Sequence, residues 1–213
     1  MNIHVLPVGP FEVNCCLACR PDGAAILFDP GAEAEAILAW IERLNARVEA
    51  ILLTHGHMDH LSALADVTRS LRVPIYLHPE DERWAFGPRN QMPPYYGVPT
   101  PPDLPLLSAS ESSPISAGPY DIRVIETPGH TPGGVCYYIP SAAVLISGDT
   151  LFRNSVGRTD LPGASSRSLA QSLRKLARLP PAVRVYPGHG DSTTIGDEIE
   201  NNYFMTMAAH AAS

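Results

Sequence analysis

"THGHMDH", Thr54 to His60, sets three histidines and an aspartate within seven positions. It follows an apolar run, "EAILLT" (Glu49 to Thr54), that reads as a buried β-strand. One histidine after a strand is ordinary surface decoration. Here the placement recurs along the chain: His130 follows "VIETPG", Asp149 follows "VLISG" and His189 follows "VRVYPG". Strands of one sheet region would deliver these turns to one edge. His55, His57, Asp59, His60, His130, Asp149 and His189 are therefore expected to converge there. Imidazole and carboxylate together suit zinc, iron or manganese. His4, His78 and His210 lack this placement and are read as structural.

Working outward, strands and helices alternate in both halves. "AAILFDPG" (Ala24 to Gly31) reads as a buried strand ending in a Pro-Gly turn. Ala34, Ile37, Leu38, Ile41 and Leu44 then recur at helical spacing. "HLSALADVTRSL" reads as one helix and "PIYLH" as a short strand. In the second half, "DIRVIETPGH" reads as strand then turn, "VCYYIP" and "AAVLISGD" as strands, and "AVRVYPGHG" as a last strand ending in a Pro-Gly turn. "SSRSLAQSLRKLARL" reads as a helix with Leu169, Leu173 and Leu176 on one face. Two similar α/β halves stacked as a helix–sheet–sheet–helix sandwich would bury both apolar faces. Between them, residues 88–119 are rich in proline and carry Tyr95 and Tyr96. This stretch is read as a connector, or as a lid over the site.

The chain has 213 residues and a net charge of −7, which argues against a nucleic-acid partner. No apolar run approaches the roughly 20 residues of a membrane helix. "MNIHVLPVGPF" has neither the basic nor the apolar region of a signal peptide. Cys16 and Cys19 form a C-x-x-C, read as two faces of one strand, since positions three apart on a strand point oppositely. The scarcity of cysteine fits a reducing, cytoplasmic compartment.

The motifs carry a family resemblance. "THGHMDH" matches the H-x-H-x-D-H signature of the metallo-β-lactamase fold superfamily. "TPGHTPGG", "SGDTLF" and "YPGHG" resemble its later metal motifs, in order. The resemblance runs from about Ile3 to Phe204. It implies a single domain over 1–213, a four-layer αββα sandwich, with the metal site at one edge of the sheets. It further implies two divalent cations, zinc first, with iron or manganese the alternatives. His55, His57 and His130 would hold one cation; Asp59, His60 and His189 would hold the other, and Asp149 would bridge them.

Within the superfamily the sequence is similar to the short bacterial glyoxalase II-like group, through "DTLFRNSVGRTDLPG" and "PGHGDSTTIGDEIENNYF". The implied activity is hydrolysis of a small thioester, such as a hydroxyacylglutathione, by a metal-bridging hydroxide that Asp59 helps orient. In glyoxalase II a basic residue at the position of Arg158 binds a glutathione carboxylate, so Arg158 is the expected substrate contact. Its competing role is to pair with Asp160 and fix its loop. The tyrosine that glyoxalase II carries soon after the last ligand histidine is missing, and "GHGDSTT" stands there. The rival reading is a persulfide dioxygenase using one iron on His55, His130 and Asp149. The residues leave oligomeric state open.

Overall fold

The computed structural model describes residues 1–211 apart from 114, 116 and 119. Three positions of the Pro-rich stretch 88–119, and the last two of the expected domain 1–213, thus lie outside the described residues. Contacts divide the chain into two compact units: Met1–Ala109 with Ser116–Tyr120, and Ser110–Ile115 with Asp121–Ser213.

The first unit is built on a six-stranded sheet. β1 (Asn2–Val8), β2 (Val13–Cys19) and β3 (Ala24–Phe28) pair antiparallel in succession. β4 (Arg47–Leu52), β5 (Ile75–Leu77) and β6 (Leu106–Ser108) then add in parallel. Each parallel step needs a crossover. α1 (Ala34–Arg43) makes the first, α2 (Met58–Leu61) with α3 (Leu64–Ser70) the second, and α4 (Pro79–Ala85) with the Pro-rich stretch the third. α1 buries Ile37, Trp40 and Ile41 in the core formed with Leu17, Leu27, Ile51 and Leu53.

α4 begins with Pro79 and carries Glu80, Asp81 and Glu82 in its first turn, where acids favour the helix dipole. The Nδ1 of His78 accepts the Glu80 amide at 3.2 Å, a capping role that matches its structural reading. On β2, Cys15 and Leu17 lie in this core with Cys19 packed against it, so Cys16 falls on the other face. All four cysteines are free, and burial holds the Cys15 and Cys16 thiols well above their usual range.

One expectation needs correction. The helix read over "HLSALADVTRSL" starts earlier, at Met58, and breaks after Leu61. The Ala63 amide leaves the helical ladder to donate to the Pro30 carbonyl at 3.1 Å. The break ties this segment to the Pro-Gly turn after β3, and it places Asp59 and His60 on a helix of their own.

The second unit holds β7 (Arg123–Glu126), β8 (Val135–Ile139) and β9 (Val144–Gly148), which pair antiparallel. β10 (Leu151–Phe152) and β11 (Ser155–Val156) form a small separate hairpin. α5 (Ser166–Leu176) carries the chain to β12 (Arg184–Pro187), parallel to β9, and β13 (Thr193–Thr194) adds at the edge. The Ser165 hydroxyl caps α5, and Leu169, Leu173 and Leu176 are buried as the periodicity predicts. α6 (Ile195–Asn201) and α7 (Tyr203–His210) follow, with Ile195, Met205 and Ala208 in the same core. Among the described residues, no helix is long and apolar enough to cross a membrane.

Candidate metal centre

In the first unit, β3 and β4 are parallel neighbours, with Phe28 opposite Leu52. Their carboxyl ends therefore open at the same edge, where α/β sheets bind ligands. Asp29 follows β3 with a left-handed φ of 48° and is 1 % exposed. A carboxylate at that depth requires donors. Three reach it: the Thr54 amide at 2.8 Å, the Thr54 hydroxyl at 2.7 Å and His60 Nδ1 at 3.0 Å. The Thr54 hydroxyl has given its proton to Asp29, so its contact with His55 Nδ1 at 3.0 Å must take the proton from the ring. His55 and His60 are thus both fixed with the proton on Nδ1, and each presents its Nε2 lone pair. Such orientation of imidazoles by a neighbouring carboxylate or hydroxyl is what metal-ligating histidines require.

The ligand turn is clamped from α4 and the Pro-rich stretch. Asp81 Oδ2 accepts the Gly56 amide at 2.9 Å. Asn90 donates to the Gly56 carbonyl at 2.8 Å and accepts the Met58 amide at 3.1 Å. His57 is half-buried, its ring edge-on to His55 and 5.3 Å from Trp84. A Cβ on Gly31 would overlap the Asp59 carbonyl oxygen, so only glycine lets the turn after β3 lie this close to α2. Of the two adjacent tyrosines, Tyr95 is exposed, whereas Tyr96 is buried beside Phe11. Burial, and secondly the Asp59 charge, push the Tyr96 hydroxyl up to about 12.

In the second unit, β9 and β12 lie parallel and deliver Asp149 and His189 side by side, the Gly188 amide donating to the Gly148 carbonyl at 2.9 Å. His130 stands in the turn after β7, and its Nδ1 donates to the Arg158 carbonyl at 2.9 Å. In the neutral ring its Nε2 then carries the lone pair, and that atom lies 3.5 Å from Asp149 Oδ2. His189 Nε2 lies 3.7 Å from the same oxygen. Donors sharing one cation at about 2.0–2.1 Å stand roughly 3.3–3.5 Å apart. The donor set fits divalent cations, with Asp149 within reach of both imidazoles.

Arg158 itself is exposed, and its guanidinium makes a two-pronged bond to Asp160 at 2.7 and 2.8 Å. That bond holds the Asp160 carboxyl down to about 2. The pairing weighed from sequence is thus the one the structure contains, and the Arg158 backbone adds a role in orienting His130 that no sequence signal announced.

Sequence reasoning also passed over Asp29, although "FDPG" places it directly after a strand, like the ligands. Asp81 and Asn90 act from 25 and 34 residues away and leave no local signature.

The sequence model of the metallo-β-lactamase superfamily matches residues 8–189. The chain belongs to the metallo-β-lactamase superfamily. Its mixed α/β fold, with sheets and helices in both units, is the fold of that superfamily. It is similar to the BLEG-1 B3 metallo-β-lactamase, with 38 % identity, a TM-score of 0.89, and coverage of 96 % of this chain and 100 % of that one. It is similar to TTHA1623, solved in a di-iron-bound form, with 40 % identity, a TM-score of 0.82, and coverage of 94 % and 99 %. It is also 33 % identical to the hydroxyacylglutathione hydrolase GloC of Haemophilus influenzae, over 96 % of this chain and 98 % of that protein's length. Membership supports a metal-dependent hydrolase acting on a small molecule.

Proposed function

We propose that this metallo-β-lactamase superfamily member hydrolyses small thioesters of the hydroxyacylglutathione kind with two divalent cations. The observation that carries the reading is the double preparation of the "THGHMDH" segment. His55 and His60 both have Nδ1 occupied and Nε2 presented, through one Asp29–Thr54 network. A single iron on His55, His130 and Asp149 would use only one of the two imidazoles that this network orients. His55, His57 and His130 would hold one cation, Asp59, His60 and His189 the other, and Asp149 would serve both. The name of the Haemophilus influenzae relative supports the thioester class. Zinc is the first choice of metal, and the di-iron form of TTHA1623 supports iron as the alternative.

When bound, the cations supply Lewis-acid polarisation of the substrate carbonyl and make water acidic near neutral pH. The residues supply the rest. Asp59 would accept a hydrogen bond from the attacking water and set its direction. Arg158, at the surface, would exchange Asp160 for a substrate carboxylate through the same fork. The leaving thiol, with a parent pKa of about 8.5, departs as thiolate without a protein acid.

The test is a substrate panel on metal-loaded protein: a lactoylated and an acetylated glutathione read by thiol release, a chromogenic β-lactam, and glutathione persulfide read by oxygen uptake. Thiol release should dominate. Lactam opening without thioester turnover would move the substrate to the class named for BLEG-1. Rapid iron-dependent oxygen uptake without thiol release would favour the dioxygenase.

A further inference from the structure

Glu198 lies in α6 with 1 % of its surface exposed, and the chemistry above does not use it. A carboxyl group at that depth persists only where donors replace water. Its Oε1 accepts the Thr193 hydroxyl at 2.6 Å. Its Oε2 accepts the Asn202 side-chain amide at 2.8 Å and the Asn154 backbone amide at 2.9 Å. Asn202 also donates to the Ser155 carbonyl at 3.0 Å.

These partners sit on the segments that bear the ligands of the second unit. Thr193 lies in β13 and pairs with Val185 of β12, the strand that ends just before His189. Asn154 lies in the turn of the β10–β11 hairpin and Ser155 opens β11, and the hairpin starts just after Asp149. At the base of that hairpin the chain returns so close to its start that a Cβ on Gly157 would overlap the Asp149 carbonyl oxygen. The next residue, Arg158, accepts the Nδ1 proton of His130 through its carbonyl. One buried carboxylate therefore grips the hairpin that adjoins Asp149 and orients His130, and also the strand that follows His189.

We propose that Glu198 is a positioning residue that sets the spacing of His130, Asp149 and His189, and through it the affinity for cations. The proposal rests on the two-cation reading. Glu198→Gln keeps side-chain volume but sets an NH2 group against hydrogen-bond donors, and Thr193→Val deletes one bond while keeping shape.

The measurement is Zn²⁺ affinity of full-length apoprotein by competition with a chromophoric chelator, together with the absorption bands of the Co²⁺-loaded protein. Circular dichroism monitors folding. Both variants should fold, with altered Co²⁺ bands and at least one Zn²⁺ held about tenfold more weakly in Glu198→Gln, the lower end for groups that orient ligands. With a thioester, kcat should fall while KM stays within about twofold. If Glu198→Gln fails to fold, Thr193→Val carries the same readouts alone. The proposal is overturned if the folded variants bind two Zn²⁺ with wild-type affinity and Co²⁺ bands and lose only thermal stability. A wild-type protein that binds no Zn²⁺ or Co²⁺ would instead overturn the two-cation reading, and this proposal with it.

Discussion

Asp29 Oδ2 stands 3.0 Å from His60 Nδ1 and accepts the Thr54 hydroxyl at 2.7 Å. Through Thr54 the same oxygen governs His55. Asp29→Ala should therefore free two imidazoles at once and leave the Thr54 amide without its buried acceptor. Loss of such a partner typically costs 10- to 100-fold in metal affinity. Chelator competition on the folded variant should find both cations weakened. Loss at neither site would mean that Asp29 serves only the fold.

The two cations should be separable through their own ligands. His57→Ala should lower the affinity of one site and His60→Ala that of the other, with thioester turnover largely abolished in each. Asp149→Ala should weaken both. Metal content by mass spectrometry after gel filtration checks this. Two full-occupancy metals with normal turnover in either histidine variant would break the assignment.

Arg158 raises a question of competing partners. The Asp160 carboxyl is held down to about 2, first by its hydrogen bond from Arg158. A depressed folded pKa contributes stability above the unfolded value, and that contribution is lost as pH falls through about 2. Both groups are exposed at the surface, so the useful readout is the titration itself. The Asp160 carboxyl signal in NMR should move from about 2 to nearer the model-peptide value of about 3.9 in Arg158→Ala.

In kinetics, losing a charge-assisted bond to a substrate carboxylate costs about 1.5–3 kcal/mol. KM for a glutathione thioester should then rise roughly 10- to 150-fold with kcat less affected. A neutral thioester should be nearly indifferent. Equal effects on both substrates would leave Arg158 as the partner of Asp160 alone.

These residues also mark what a sequence can disclose. The alternation of apolar runs and amphipathic segments made the α/β class legible, because strand burial and helix periodicity are local properties. The candidate donors drew notice because His55, His130, Asp149 and His189 each stand shortly after a strand, with His57, Asp59 and His60 close behind His55 in the chain. The helix break after Leu61 was hidden, since the Ala63 amide is drawn off by Pro30, a distant partner with no local trace. Asp81, Asn90 and Glu198 were hidden for the same reason: each is a buried polar residue whose role lies in donors and acceptors brought to it by the fold. The exposed Arg158–Asp160 pair was legible as an alternative, being only two residues apart.

Asn90 offers a test of the Pro-rich stretch. Its amide donates to the Gly56 and Ala85 carbonyls at 2.8 and 2.5 Å, and its oxygen accepts the Met58 amide at 3.1 Å. This end of the stretch is therefore fastened to the turn between His55 and His57. Asn90→Ala leaves buried backbone groups without partners, at about 1–3 kcal/mol for each. A net loss of about 2–4 kcal/mol would lower Tm by roughly 4–16 °C in a chain of this size. Because Gly56 lies between His55 and His57, affinity at the site His57 serves should fall as well. Tyr95→Ala, at an exposed position of the same stretch, should leave Tm and metal affinity unchanged. Calorimetry and chelator competition on the two variants decide the matter. If Asn90→Ala lowers Tm while every cation binds as in the wild type, the stretch is a connector that happens to pass the ligand turn.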